Sequence, residues 1–527
     1  MTFSDFAEDG TIVVGAGIAG LAAAARLARA GRRVTVLERH PTPGGKMRVL
    51  DSPAGPVDAG PTVLTMRPVF DELFAALGTR LEEHVTLHRQ RILARHVWPD
   101  GSTLDLHDSE AANVEAIAAF AGRRVAERFR AFAGRARRLY EAFDAPMMQA
   151  AEPALPRLAA TVMRRPRLMA DMAPGVTLAS RLARELGEPR LAQLFGRYAT
   201  YVGGSPYRVP ALLSLVWEAE ARGVWVVEGG MHALARALER LAAAHGAEFR
   251  YGAGVARIEA PSGRVQGVVL DDGTRLPAGE VLFNGDPRAL ATGALGPDVG
   301  AVAPQTRKAP RALSAQVWAF AAQPAGVELA HHNVFFSSDY AEEWGDLHAG
   351  RAPREPTLYV CAQDRGTPSP VPAPERFEII VNAPPLARPP HPAEEYGSCR
   401  TRTFETLARM GLSFDPIPGA ESLTTPAGFE ALFPGSLGAL YGQSPEGMTA
   451  SLARPRARTR ITGLYLAGGG AHPGAGVPMA TLSARHAAEA MLSARPSTSR
   501  SGRTATPGGT STGSATTAPA PSRSSPS

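Results

Sequence analysis

Cysteine and lysine are almost missing from this chain of 527 residues: Cys361 and Cys399 are its only cysteines, and Lys46 and Lys308 its only lysines. Two cysteines are too few for a disulfide framework and do not stand in metal-ligand spacing, which fits a reducing compartment. No uncharged apolar run reaches the length of about 18 residues that a spanning helix needs, so none is expected. The opening MTFSDFAEDG is acidic and has no apolar centre, which leaves no room for a cleaved signal peptide before the first strand. Lysine scarcity makes the net charge of +6 almost wholly arginine. A basic surface suits nucleic acid or an anionic membrane, while a compositional bias toward arginine explains the preference with no partner. With 44% hydrophobic and 20% charged residues, the composition is that of a globular protein large enough for two or three intertwined domains.

Against this background Thr11 to His40, TIVVGAGIAGLAAAARLARAGRRVTVLERH, stands out. Ile12 to Val14 are β-branched and short, as a buried parallel strand requires, and Gly15, Gly17 and Gly20 follow in G-x-G-x-x-G spacing. The first glycine permits a tight turn, the second lets the backbone approach a pyrophosphate, and the third lets helix pack on strand. The following helix aims its N-terminal N–H groups and dipole at the phosphates. Val34 to Leu37 form the second strand, and Glu38 closes it with a carboxylate that accepts ribose hydroxyls and repels a 2′-phosphate. These elements predict a dinucleotide-binding βαβ unit.

Two further features turn the prediction from NAD to FAD. Gly44, Gly45 and Lys46 form a second loop suited to a phosphate or ribose, which a NAD enzyme does not need there. Asp58 to Pro61 make a tight turn fitted to underlie a flavin. Near the C-terminus, the strand Leu464 to Ala467 runs into Gly468, Gly469 and Gly470, and Pro478 starts a helix where its missing N–H costs nothing. That second junction places another positive helix end beside the flavin. Between them, Gly229, Gly230 and Met231 open a helix followed by short strands at Ala247 to Tyr251, Gly254 to Glu259 and Arg264 to Leu270, expected as a three-stranded meander, with the Val255 amide on the adenine. Strand-like runs at Ser314 to Ala322, Val334 to Ser337, Thr357 to Ala362 and Arg376 to Asn382 predict a mixed sheet on the substrate side.

The segment from Val125 to Phe143 spaces Val125, Phe129, Phe132, Ala136, Leu139 and Phe143 helically, with Arg128, Arg130, Arg135, Arg137 and Arg138 mostly elsewhere on the wheel. It reads either as a basic helix resting on an anionic bilayer or as a solvated face over an ordinary core helix.

LYLAGGGAHPGAGVP and VEGGMHALARAL, placed with both glycine-rich junctions, resemble the phytoene-desaturase-type carotenoid desaturases, within the FAD-dependent amine-oxidase-like flavoproteins, from residue 11 to 494. DAGPTVLTMRPVFDELF, RYATYVGGSPYRVPALLSLVW, HHNVFFSSDY, PTLYVCAQDR and ALYGQSPEG are similar to the branch of 1-hydroxycarotenoid 3,4-desaturases acting on hydroxy- or methoxyneurosporene. Ala471 stands where the wider family has Thr, and Met479 where it has Gly, which favours that branch. The resemblance implies FAD contacts from Gly15, Gly17, Gly20, Glu38, Gly44, Gly45 and Lys46, and flavin-side contacts from Gly60, Pro61, Thr62, Gly469, Ala471, His472 and Val477. It implies an α/β fold: a Rossmann-like FAD-binding domain from residues 1-110, 211-300 and 446-494, a helical membrane-contacting insertion at 111-210, and a mixed-sheet substrate domain at 301-445. The tail 495-527 is Ser/Thr/Pro/Gly-rich and expected to be disordered.

Making a C=C beside a polyene removes a hydride and a proton from adjacent carbons, and no ordinary side chain accepts a hydride, so flavin N5 is expected to do so. No side chain is assigned as acid or base. An acyclic C40 carotenoid partitions into membrane, so a peripheral position on the inner, cytoplasmic membrane is expected, with no nucleic-acid partner. Oxygen or a quinone is expected to reoxidise the flavin. Glu228, Tyr207 and His332 are the polar residues available to receive a substrate hydroxyl. His472 is expected to orient its loop by hydrogen bonding. His331 and His332 are not expected to bind a metal, because no third ligand stands at a convincing spacing. Three rivals stand beside this reading: a related flavoenzyme acting on another lipid or an amine, a phytoene or neurosporene desaturase, and a non-catalytic prenyl-lipid-binding protein resembling the Rab GDP-dissociation inhibitors.

Overall fold

A computed structural model describes residues 10–387 and 392–494. The expected disordered tail and most of the acidic N-terminal segment lie outside the described residues. Two sheets organise the molecule. The first is parallel, in the order Leu464–Leu466, Glu280–Phe283, Thr11–Val14, Val34–Leu37, Glu248–Arg250. Alternation along its strands sends side chains to opposite faces. Val13, Val36 and Leu282 pack under the helices Ile18–Arg29, Met231–Ala244 and Val477–Ala494. Ile12, Leu37, Val281 and Phe283 pack on the other face. Ala22 to Ala25 have no exposed surface, and their small side chains let the first helix lie close to its two neighbouring helices.

The second face is covered by an antiparallel meander of Val255–Glu259, Gly267–Leu270 and Arg275–Pro277. This corrects the expected meander. Glu248–Arg250 is the edge strand of the parallel sheet instead, because the helix Met231–Ala244 before it works as a crossover and returns the chain parallel to Val34–Leu37.

The other sheet is mixed and runs Leu412–Asp415, Ser314–Gly326, Glu375–Ala383, Leu358–Ala362, His332–Phe335, Ile92–Val97, Thr103–His107, with Leu423–Thr424 also on Ser314–Gly326. Its last two strands come from the segment 1-110, so this sheet draws on both the start and the middle of the chain. One face, with Phe335, Leu358, Val360 and Phe377, is buried with Cys399, Phe404 and Leu407 of the helix Pro392–Arg409. The other, with Val334, Tyr359 and Cys361, faces the helical region between residues 110 and 221.

The arginine-rich helix, Arg123–Phe143, lies inside that helical region. Arg135 is 2% exposed, which corrects its placement on the outer side of the wheel; it bonds Glu185, Ser214 and the Asp171 carbonyl. Arg137 pairs with Glu110, Arg138 with Asp171, and Arg128 donates to the Leu186 carbonyl. Those four cations bind the helix to its neighbours. Exposed apolar surface lies instead on the next two helices, Leu155–Met163 and Pro166–Met172, where Met163 is 80% and Met169 50% exposed. Among the described residues, no helix is long and apolar enough to cross a membrane.

Candidate functional site

A cavity of about 650 Å³ lies where the two sheets meet, between the two glycine-rich junctions. Gly15, with φ +100°, turns the chain out of the first strand, and its N–H donates to the Leu37 carbonyl at 2.8 Å. Gly17 borders the cavity and caps the first helix. Gly20 does not reach the cavity, and a Cβ on it would stand 2.0 Å from the Gly15 carbonyl oxygen. No larger residue fits while the helix starts where it does.

Glu38 ends the second strand at 5% exposure with its carboxylate fixed from two sides: the Ala16 N–H donates to one oxygen at 2.7 Å and the His40 N–H to the other at 2.9 Å. The second loop is tied directly onto the first, since the Gly44 N–H donates to the Ala16 carbonyl at 2.8 Å. A Cβ on Gly44 would meet the Met47 carbonyl at 2.2 Å, and one on Gly60 would meet the Lys46 carbonyl at 1.9 Å. Three successive pieces of backbone are therefore stacked as closely as peptide groups allow. Lys46 Nζ donates to the Leu440 carbonyl at 2.5 Å and lies 5.6 Å from the centre of the Phe433 ring. Burial lowers its pKa to about 8, opposed by Asp286 and assisted by Arg311 and Arg454.

Gly15, Gly17, Glu38, Gly44, Gly45, Lys46, Gly60, Pro61, Val255, Gly469 and Val477 all border the cavity. Thr62, Ala471 and His472 do not. The Thr62 hydroxyl bonds the Tyr359 hydroxyl at 2.8 Å. Ala471 is fully buried and donates its N–H to the Gly468 carbonyl. His472 is 3% exposed and spans to the helical region through a 2.8 Å hydrogen bond between Nε2 and the Ala150 carbonyl. Burial lowers its pKa, so the neutral ring serves as a donor there. Of the three residues considered for a substrate hydroxyl, Glu228 is exposed and paired with His88, Tyr207 is 38% exposed, and His332 is buried with Nδ1 on the Tyr359 hydroxyl.

Sequence spacing shows nothing of several long-range contacts that hold the site together. Asn284, just after the strand Glu280–Phe283, donates to the Gly15 carbonyl at 3.1 Å and touches the positions a Cβ would take on Gly17 and Gly468. It braces both junctions. Asp58 accepts from the Met231 N–H at 2.5 Å and from that of His232 at 3.3 Å, capping the helix Met231–Ala244 from the far side of the site. Burial raises its pKa to about 6 against those two donors. Arg454 binds the carbonyls of Gly469, Tyr441 and Gln443. The bare glycine backbone, the helix start at Ile18, the carboxylate of Glu38 and the cation of Lys46 fit a dinucleotide cofactor of the FAD type, and the cavity is within the about 300–1,000 Å³ usual for ligand sites.

The family of flavin-containing amine oxidoreductases matches residues 18–318. The chain is 57% identical to a hydroxyneurosporene desaturase of Cereibacter sphaeroides over 93% of its own length and 98% of that protein. It is 54% identical to one of Rhodobacter capsulatus over the same shares. A phytoene dehydrogenase of Streptomyces griseus is 33% identical over 95% of this chain and 98% of that protein. Among solved structures, a putrescine oxidase bound to putrescine aligns with a TM-score of 0.60 at 16% identity, over 92% of this chain and 99% of that one, a likeness of fold alone.

Proposed function

The chain belongs to the flavin-containing amine oxidoreductases and, within them, to the carotenoid desaturases; from that premise we propose that it introduces a C-3,4 double bond into acyclic carotenoids carrying a 1-hydroxy or 1-methoxy group. It is an FAD-dependent oxidoreductase acting on CH–CH groups. The observation that carries the finer reading is the 57% identity to a hydroxyneurosporene desaturase along nearly the whole of both chains. Bound FAD supplies the hydride acceptor that no side chain offers. The chain's own part is to hold and to exclude. Gly15, Gly17, Gly44 and Gly45 present backbone to the pyrophosphate, Glu38 takes the ribose, and Lys46 adds a cation. Val317 and Ile380 of the mixed sheet border the cavity as apolar wall, keeping water from the reacting carbons and aligning one C–H.

We assign FAD binding to residues 1-110, 211-300 and 446-494, substrate binding to 301-445, and membrane contact to 111-210. Exposed Met163 and Met169, with Arg157, Arg164, Arg165 and Arg167 exposed beside them, support an interfacial role on an anionic cytoplasmic leaflet. Oxygen or a quinone reoxidises the flavin.

The test is product analysis of the FAD-loaded protein with vesicles containing 1-hydroxyneurosporene, neurosporene or phytoene. A 3,4-dehydro product from the first alone supports the reading. Equal conversion of all three shows a desaturase indifferent to the hydroxyl, and flavin that stays oxidised anaerobically with 1-hydroxyneurosporene removes the reading altogether.

A further inference from the structure

His331, His332 and Cys361 come together on the buried face of the mixed sheet, one potential ligand atom from each within 4.8 Å of the others. The pairing is set by strand register, since Cys361 stands directly across from His332 on one side and from Glu378 on the other. Sequence spacing offered no third ligand to the two histidines; the neighbouring strand supplies it from thirty positions away.

Four observations go beyond proximity. The His331 Nδ1 sits 2.6 Å from the Arg365 carbonyl, so it carries the proton and its Nε2 keeps a lone pair. His332 Nδ1 is likewise engaged, 2.6 Å from the Tyr359 hydroxyl, and its Nε2 is buried with no hydrogen-bond partner. This outer bonding of one ring nitrogen is what orients imidazoles that ligate through the other. The Cys361 sulfur lies 3.5 Å from His331 Nε2, and bonds of about 2.3 Å to sulfur and 2.0–2.1 Å to nitrogen around a tetrahedral centre put the two atoms about 3.6 Å apart. Finally, Glu378 is wholly buried and neither carboxyl oxygen meets hydrogen-bond geometry, although Thr62 stands beside it. Buried groups left without partners are costly, and two of them flank one cysteine.

We propose that His331, His332 and Cys361 bind a divalent d¹⁰ ion, zinc(II), through two imidazole nitrogens and one thiolate, with Glu378 as the countercharge. Mixed imidazole and thiolate donors suit such a borderline ion. The thiol releases its proton on binding, so the thiolate and the Glu378 carboxylate, which Arg48 also faces, offset the dication, and the buried His332 Nε2 gains a ligand bond. Three protein ligands leave the fourth position to water. The site stands independently of the proposed substrate.

The experiment uses the full-length, FAD-loaded protein, incubated with equimolar zinc sulfate and desalted over a weak chelator. Zinc and flavin per chain are then measured, with X-ray absorption at the zinc edge. Expected are about one zinc per flavin and one sulfur at about 2.3 Å beside nitrogen or oxygen neighbours. Cys361→Ser removes the sulfur, and Glu378→Gln weakens zinc binding about 10–100-fold. His88→Gln, which alters a half-buried histidine paired with Glu228, changes neither. Flavin-replete protein that retains under a tenth of a zinc per chain overturns the proposal and leaves a plain thiol–imidazole hydrogen bond; retained zinc with no sulfur neighbour overturns it as well. The wild-type sulfur signal decides the matter even where Cys361→Ser fails to fold.

Discussion

The parallel sheet and the mixed sheet border the same cavity with opposite materials. On the parallel side the working groups are peptide N–H groups, and what matters is the lack of a Cβ at Gly20, Gly44 and Gly60. On the mixed side the lining is made of side chains brought together across strands by register, as where Val317 stands opposite Ile380. The first side depends on steric room within a short stretch of chain. The second depends on long-range pairing between strands.

This contrast breaks most sharply at Gly20. Gly20→Ala puts a methyl group 2.0 Å from the Gly15 carbonyl, and stability is expected to fall by about 4 kcal/mol or more with loss of FAD, read by denaturant unfolding and flavin absorbance. A variant that keeps its flavin shows that the helix can slide. Glu38→Ala comes next: it strips the partner from the buried Ala16 N–H and the half-buried His40 N–H and removes the proposed ribose contact, and FAD affinity is expected to fall about 100-fold by titration of the cofactor-free protein.

Lys46 gives a pH-dependent version of the same test. Its folded pKa, about 8, lies below the ordinary 10.5, so its contribution to stability is present above 10.5 and lost as pH falls through 8. Without FAD, wild type should gain about 1–2 kcal/mol on Lys46→Met between pH 8 and 10.5, a figure reduced for partial solvent screening. With FAD bound, the pyrophosphate favours the ammonium and the gain should shrink. Thr62→Val sharpens the contrast from the other side, at the smallest amplitude. Its hydroxyl bonds Tyr359, so unfolding free energy should drop by about 1 kcal/mol while FAD affinity holds. A marked loss of FAD affinity would return Thr62 to the flavin.

The same contrast explains what could be read from the chain alone. Gly15 to Glu38, Gly44 to Lys46 and Gly468 to Val477 act through local backbone geometry, and local geometry leaves a spacing pattern. Asn284 and the helix-capping role of Asp58 escape because their partners, Gly15 and Met231, lie 269 and 173 positions away. Cys361 escaped as a neighbour of the histidines for the same reason, since strand order has no local signature. The edge strand Glu248–Arg250 was misassigned because a short strand looks alike in a meander and beside a crossover helix. The charge of Arg135 argues for the outside, and the Glu185 carboxylate, the Ser214 hydroxyl and the Asp171 carbonyl, all supplied by other elements, make its burial tolerable.

The strand order of the parallel sheet also sets a schedule for synthesis. The first strand, Thr11–Val14, leaves the ribosome early, but its neighbour Glu280–Phe283 follows some 270 residues later, and Leu464–Leu466 completes the row last. The loop Gly469 to Val477 that shuts the cavity is younger still. Nascent chains thus carry an open half-cradle for most of their translation, and tight capture of the cofactor belongs to the finished polypeptide. A chain cut between Leu466 and Val477 keeps every strand of the parallel sheet but lacks the loop that borders the cavity, and it is expected to lose its flavin absorbance.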